Sequence, residues 1–338
     1  MILAGDVGGT KTILGVFRHA ARRLVSVREA AFASQEFPSL EAIVREFLAG
    51  GKQRVERCAV GVAGPVVDGR SQVVNLRWPV DATRLGRAIR VGRDRVHVLN
   101  DLEANAWGVP WLPAHKLRNL TPGLRASAGN AALIAAGTGL GMALLFWHGR
   151  RFHPSASEGG HQEFGPRDDL ELELARFLRR RHGRVSVERV VSGPGISAIY
   201  RFLLERHRQD EPLWFGRRLA SGEDPNAVIT EVGLAGEDPV ARETLKRFVS
   251  LYGSAAGDLA LVCRATAGVY VGGGIAPRIL PLLESGEFVR AFRAKGRLGP
   301  FVERIPIRVI LEPRTALIGA AARAAAEPPA RSTRSKGR

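Results

Sequence analysis

The sequence predicts an α/β protein built as two lobes, and three observations predict it. Near the start, the apolar run Ile2-Leu3-Ala4 enters Gly5-Asp6-Val7-Gly8-Gly9-Thr10-Lys11 and leaves through Ile13-Leu14-Gly15-Val16-Phe17, which reads as strand, glycine turn and strand. The pattern recurs: Leu133-Ile134-Ala135-Ala136 runs into Gly137-Thr138-Gly139-Leu140-Gly141 and out through Met142-Ala143-Leu144-Leu145-Phe146. Elsewhere, strand-like apolar runs alternate with helical patterns, as in sheets covered by helices. A chain of 338 residues is long enough for two lobes, each with a sizeable core.

After the first hairpin, Ser39 reads as a helix N-cap, with Leu40, Ile43, Val44, Phe47 and Leu48 on one face and Gly50-Gly51 as the stop. Cys58 to Val62 is a buried strand broken by Gly64-Pro65, and Val66 to Leu76 continues extended with a turn at Asp68-Gly69. Val96 to Leu99 is another strand, and a helix follows from Leu102 to Trp107. Pro110 to Ala128 is a proline- and glycine-spotted connection, which sets a lobe boundary near 110. In the second lobe, Phe152 to Phe164 reads as a polar loop, Asp168-Asp169 caps a helix carrying Leu170, Leu174, Phe177 and Leu178, and helices fill roughly 196–264 with breaks near 208–226. A strand before Gly272 and one near Ile305 to Leu311 complete the second sheet, and a helix from Thr315 to Glu327 closes the fold. The expected division is 1–110 with 312–327, then 111–311, then a disordered basic tail over 328–338.

Composition is that of an ordinary globular protein, 45% hydrophobic and 25% charged. The two cysteines, Cys58 and Cys263, are far apart in apolar contexts and read as small buried hydrophobes in a reducing compartment. No leader precedes the first strand and no apolar run approaches membrane length, so the expectation is a cytoplasmic protein without a membrane partner. The net charge is +17, spread over the chain in single arginines and short runs such as Arg179-Arg180-Arg181. With no basic recognition helix and no aromatic platform, this reads as a solvated surface rather than a nucleic-acid face.

The chemistry gathers at the turns. Gly8 and Gly9 admit left-handed backbone and leave no Cβ in the way of a close ligand. Successive N–H groups in such a turn form an anion-binding concavity, and Thr10 adds a hydroxyl. Asp6 sets a carboxylate beside the turn, suited to holding Mg2+ through water. A plain tight hairpin is the alternative for one such turn. The second copy, and a third cluster, Gly272-Gly273-Gly274, after Gly268-Val269-Tyr270-Val271, favour a polyphosphate held between two lobes. None of the three is a GxxxxGK[ST] or GxGxxG loop. Asn100-Asp101 ends a buried strand, where ligands gather in open α/β sheets. An Asp before a helix is equally a favoured N-cap. Glu158, His161 and Glu188 lie in glycine-rich polar loops. Their carboxylates suit pairs of neighbouring sugar hydroxyls, with the imidazole donating or accepting a further bond. A turn-stabilising Glu and a solvated or core His are the alternatives. Metal ligation by His161 is a rival that no cysteine cluster completes.

These motifs together resemble the bacterial glucokinase family, within the hexokinase/actin-like ATPase superfamily. The resemblance runs end to end: Gly5-Asp6-Val7-Gly8-Gly9-Thr10, Asn100-Asp101, Ala136-Gly137-Thr138-Gly139-Leu140-Gly141, Glu158-Gly159-Gly160-His161, Glu188 to Gly195, and Val271-Gly272-Gly273-Gly274-Ile275. It implies two RNase H-like lobes with ATP and glucose in the cleft between them. It implies that Asp101 takes the proton of the glucose 6-hydroxyl and that Asn100, Asp101, Glu158, His161 and Glu188 bind the sugar. It further implies that Gly5 to Thr10 and Gly137 to Gly139 hold the phosphates, with Mg2+ near Asp6, and that Gly272, Gly273 and Gly274 face the adenosine. A homodimer is the family-level expectation. Repressor-type sugar kinases carry a cysteine-rich zinc motif after their His, and this sequence has none. Lys11 departs from the neutral residue that stands there in some members, and is expected to tune phosphate affinity. The rivals are a kinase of another hexose, a polyphosphate-dependent kinase, and a sugar-sensing regulator, for which the first turn at residue 5 leaves no room for a DNA-binding domain.

Overall fold

In the computed structural model, residues 1–20, 23–51, 53–73 and 76–326 are described. The expected basic tail, 328–338, lies outside the described residues, as does part of the stretch expected to be extended, at Val74 and Asn75. The described residues form two compact units, one of Met1–Leu112 with residues 314–326, the other of Pro113–Pro313.

The first unit runs β1 (Ile2–Val7), β2 (Lys11–Ala20), β3 (Arg23–Ala33), α1 (Leu40–Ala49), β4 (Arg57–Val62), β5 (Arg70–Gln72), β6 (Pro79–Asp81), α2 (Ala82–Ile89), β7 (Val96–Asn100) and α3 (Asp101–Gly108). The second runs β8 (Leu117–Asn119), β9 (Ala131–Ala136), β10 (Leu140–Trp147), β11 (Phe152–Ser157), α4 (Asp169–His182), α5 (Gly193–His207), α6 (Leu213–Ala220), α7 (Pro225–Ala235), α8 (Pro239–Cys263), β12 (Gly268–Gly272), α9 (Leu280–Glu284), α10 (Glu287–Arg293), α11 (Gly299–Val302) and β13 (Ile307–Ile310). The closing helix α12 (Thr315–Ala325) returns to the first unit.

The first sheet has the order β3-β2-β1-β4-β7, with β1–β2 and β2–β3 antiparallel and β1–β4 and β4–β7 parallel. The second repeats that plan as β11-β10-β9-β12-β13 and adds β8 antiparallel at the edge. The repeated glycine hairpin is therefore the opening of a repeated fold. Strand alternation explains how the first sheet is covered on both faces. Leu3 and Val7 of β1 pack with Ile43, Val44 and Phe47 of α1, whereas Ile2 and Ala4 meet Leu317, Ala320 and Ala321 of α12.

Caps set the helix starts. Ser39 accepts from the Ala42 amide at 3.2 Å and Asp168 from Glu171 at 2.8 Å, each where the sequence marks it. Several elements differ from expectation. Phe152–Ser157 is a strand, not a loop, paired antiparallel to β10. It is an edge strand and its pairing supplies what its polar sequence does not. β3, α2, β8 and the short helices α9 to α11 carry no clear sequence signal. Cys58 and Cys263 are free and buried. Among the described residues, no helix is long and apolar enough to cross a membrane.

Candidate active site

The parallel strands β1, β4 and β7 end together, and the first unit's candidates stand at those ends. Asp6 lies opposite Gly61 of β4, and Val62 of β4 lies opposite Asn100 of β7. Burial, and then the negative charge of Asp101, push the Asp6 carboxyl from 3.8 up to about 6. The two carboxylates thus share one field. Helix α3 begins one residue earlier than expected, and its cap is Asn100, not Asp101. Asn100 Oδ1 accepts from the Leu102 amide at 2.9 Å and the Glu103 amide at 3.4 Å, while its Nδ2 donates to Gly64 O at 3.2 Å. Asp101 is the first helical residue, and its Oδ1 accepts from the Leu102 amide at 2.8 Å.

The first turn is built differently from the expectation. Neither Gly8 nor Gly9 takes a left-handed conformation. The Gly8 amide closes the turn by donating to Lys11 O at 3.0 Å, so it does not face outward as an anion donor. The Gly8 carbonyl accepts from Ser34 Oγ at 2.8 Å, and Ser34 Oγ lies 2.9 Å from Thr12 Oγ1. Ser34 also donates its amide to Thr10 O at 2.9 Å. This buried lock, absent from the sequence reading, fixes the turn from below and leaves Thr10 and Lys11 exposed.

In the second unit, Glu158, His161 and Glu188 come together. His161 Nε2 is 4.0 Å from Glu158 Oε2, and its Nδ1 is 4.0 Å from Glu188 Oε1. Two backbone bonds bring the loops side by side, Val187 N to Gln162 O at 2.9 Å and Phe164 N to Val185 O at 3.0 Å. Glu188 Oε2 reaches further and accepts the Leu140 amide at 2.8 Å, at the exit of the second glycine turn. A Cβ at position 139 would stand 2.6 Å from that oxygen, so any larger residue there has to push the Glu188 carboxylate aside. Within the turn, Gly137 N donates to Gly139 O and Gly137 O accepts from Gly193 N at the start of α5, both at 2.8 Å. Thr138 is exposed.

The Gly272 cluster lies at the end of β12, next to the end of β9. Gly273 has φ +82°, and a Cβ there would fall 2.2 Å from Ala136 O. Tyr252, fully buried on α8, ties the two strand ends together. Its hydroxyl oxygen accepts from the Ala136 amide at 3.1 Å and lies 3.2 Å from Gly272 O and 3.3 Å from Ile134 O. No feature of the sequence separates Tyr252 from the other core aromatics.

Among the described residues no group of three or more His, Cys, Asp or Glu forms a metal cage. Mg2+ keeps several waters and takes one or two carboxylates plus substrate phosphates. A half-buried Asp6 whose charge is opposed by Asp101 fits such an ion, because a cation would relieve both.

The glucokinase family model matches residues 3–327. The chain belongs to the glucokinase family. A glucokinase of Trichormus variabilis is 38% identical over 336 residues, covering 95% of this chain and 98% of its own. The crystal structure of a glucokinase from an Antarctic psychrotroph superposes with a TM-score of 0.85 at 31% identity, over 95% of this chain and 97% of the other. A ROK family glucokinase from Streptomyces griseus, solved in complex with glucose and AMPPNP, shares the fold with a TM-score of 0.61 at 23% identity, over 95% and 97% of the two chains. The repeated sheet plan is thus the actin-like ATPase fold of these sugar kinases. Within this glucokinase-family chain, each unit holds one glycine hairpin and one group of acids close to it.

Proposed function

We propose that the chain transfers the γ-phosphoryl group of ATP to the 6-hydroxyl of D-glucose, giving glucose 6-phosphate and ADP, with Asp101 as the base. The observation that carries the assignment is that Asn100 caps α3. Asp101 shares the Leu102 amide through its Oδ1, but the N-cap is Asn100, and the Asp101 carboxylate is close enough to Asp6 to raise its pKa.

Phosphoryl transfer asks little covalent work of protein groups, so positioning and charge dominate. Asp101 accepts the proton of the 6-hydroxyl as the oxygen attacks phosphorus in line. Asn100, Glu158, His161 and Glu188 hydrogen-bond the other sugar hydroxyls, for which carboxylates are strong acceptors. The turns Gly5 to Thr10 and Gly137 to Gly139, with the Thr10 and Thr138 hydroxyls, orient the phosphates, and Gly272 to Gly274 face the adenosine. Asp6 would hold Mg2+ through water, and the ion when bound would neutralise negative charge on the phosphates. Lys11, exposed beside the first turn, adds long-range attraction for the nucleotide.

We place the enzyme in the cytoplasm, where its nucleotide donor is available. A homodimer is proposed on the family expectation alone, and sedimentation decides it. The test of function is a coupled ADP-release assay with a panel of hexoses and donors, ATP and polyphosphate included. Turnover highest with glucose and ATP, and lost in Asp101→Asn, supports the reading. Preference for another hexose or for polyphosphate overturns it.

A further inference from the structure

We propose that the second unit carries an anion-binding cavity for a small phosphate-bearing molecule, separate from the glycine turns. The cavity, about 360 Å3, opens where the end of α4, the first turns of α5 and the start of α7 meet. Arg181, His182, Arg189 and Arg201 line it together with Ser197 and Asn226, and its lining includes no carboxylate among the described residues.

Some arginines close by are matched: Arg180 with Glu205 at 3.0 Å, Arg184 with Glu163 at 2.5 Å, and Arg206 with Glu173 at 3.0 Å. Arg181 reaches Glu205 only at 3.6 Å, on an acid that Arg180 already holds, and lays its guanidinium over the Phe177 ring. Arg189 and Arg201 make no ion pair among the described residues. Three guanidiniums around one cavity repel one another, and an anion reverses the sign of that interaction. Phosphate matches them in geometry, since guanidinium forks bind its oxygens in pairs. Ser197 Oγ donates to Asn226 Oδ1 at 2.6 Å, which leaves the Asn226 NH2 group as a further donor. Partial desolvation, and then the charges of Arg189 and Arg181, lower the His182 imidazole below its usual value. A bound anion will raise it. The volume suits a pyrophosphate or a sugar phosphate.

The full chain is titrated calorimetrically at physiological salt, without ATP, with pyrophosphate and separately with glucose 6-phosphate. The expected result is saturable binding of at least one, weakened by about tenfold or more in Arg189→Gln/Arg201→Gln. Pyrophosphate binding points to a condensed phosphate, and binding of glucose 6-phosphate alone to a sugar phosphate. In the unsubstituted protein, the His182 NMR titration should move upward on binding. No binding of either anion, equal affinity in the double variant, an unmoved His182, or full displacement by AMPPNP overturns the proposal.

Discussion

Glu188 Oε2 accepts the backbone N–H of Leu140 at 2.8 Å, so an acid proposed to bind sugar also fastens the second glycine turn. Glu158, on the other side of His161, has a side chain 76% exposed, against 29% for Glu188. The two acids should therefore fail differently. Glu158→Ala is expected to raise KM for glucose alone. Glu188→Ala is expected to raise KM for both glucose and ATP, each by about tenfold, or about 1.4 kcal/mol. Glu188→Gln keeps an acceptor for the Leu140 amide and should recover the ATP value while glucose binding stays impaired. Kinetics with each substrate varied in turn decide this; an unchanged KM for ATP in Glu188→Ala removes the brace from the nucleotide side.

The neighbours Asn100 and Asp101 divide stability from catalysis. Asn100→Ala removes the cap of α3 and should cost about 1 kcal/mol, whereas Asn100→Asp should retain it. Asp101→Asn leaves the cap in place, so its melting temperature should hardly move. Its turnover should fall within about 10²–10⁴-fold, the range for a positioned general base. The lower part is expected, because phosphoryl transfer is largely dissociative. Near-native kcat in Asp101→Asn, measured on the same preparation as its melt, would remove Asp101 from the chemistry.

How much of this was legible in the sequence follows from what each residue packs against. β1, β4, β9 and β12 are covered on both faces, so they read as continuous apolar runs. The caps Ser39 and Asp168 announce α1 and α4 within three residues. β3 and β11 are edge strands with largely exposed or half-exposed side chains, and only their partners make them strands. At the site, the motifs name Asp101, Glu158, His161 and Glu188, but the closeness of the last three depends on backbone bonds between residues 162–164 and 185–187. The Thr12–Ser34 lock spans 22 positions and the Tyr252–Ala136 bond spans 116, separations at which no local pattern signals a contact. The reading of Asp101 as a cap failed by one residue because Asn and Asp cap equally well.

Asp6 predicts an inverted pH dependence. Its carboxyl titrates near 3.8 when unfolded and at about 6 in the fold, so between those values the folded protein binds more protons. Stability from this group is complete below the unfolded value and is lost as pH rises through the folded one. Asp6→Asn should therefore melt higher than the unsubstituted protein at about pH 8 and differ little at about pH 4. Mg2+ should raise the melting temperature of the unsubstituted protein at the higher pH and not that of Asp6→Asn. Because the charge of Asp101 is the second cause of the shift, Asp101→Asn should bring the Asp6 titration down. Equal melting curves for Asp6→Asn and its parent at about pH 8 would show that the charged carboxylate is well solvated.

The last prediction concerns Tyr252, whose hydroxyl joins the strand ends that precede both glycine clusters of the second unit. Tyr252→Phe preserves the ring packed against Phe248 and Phe288 and deletes only the oxygen. The Ala136 amide then loses the acceptor it has at 3.1 Å, in a place without access to water. A buried donor left unpaired costs about 1–3 kcal/mol, enough to see as a lower melting temperature. A purely structural role predicts nothing more. If the two clusters hold the nucleotide, loosening their common anchor should also raise KM for ATP while KM for glucose stays put. Hydrogen exchange at the Ala136 and Gly137 amides should speed up in the variant, and AMPPNP should slow it again. A variant that loses stability but binds ATP as before would make Tyr252 a core residue only; one that loses neither would show that the hydroxyl bond contributes little to the fold.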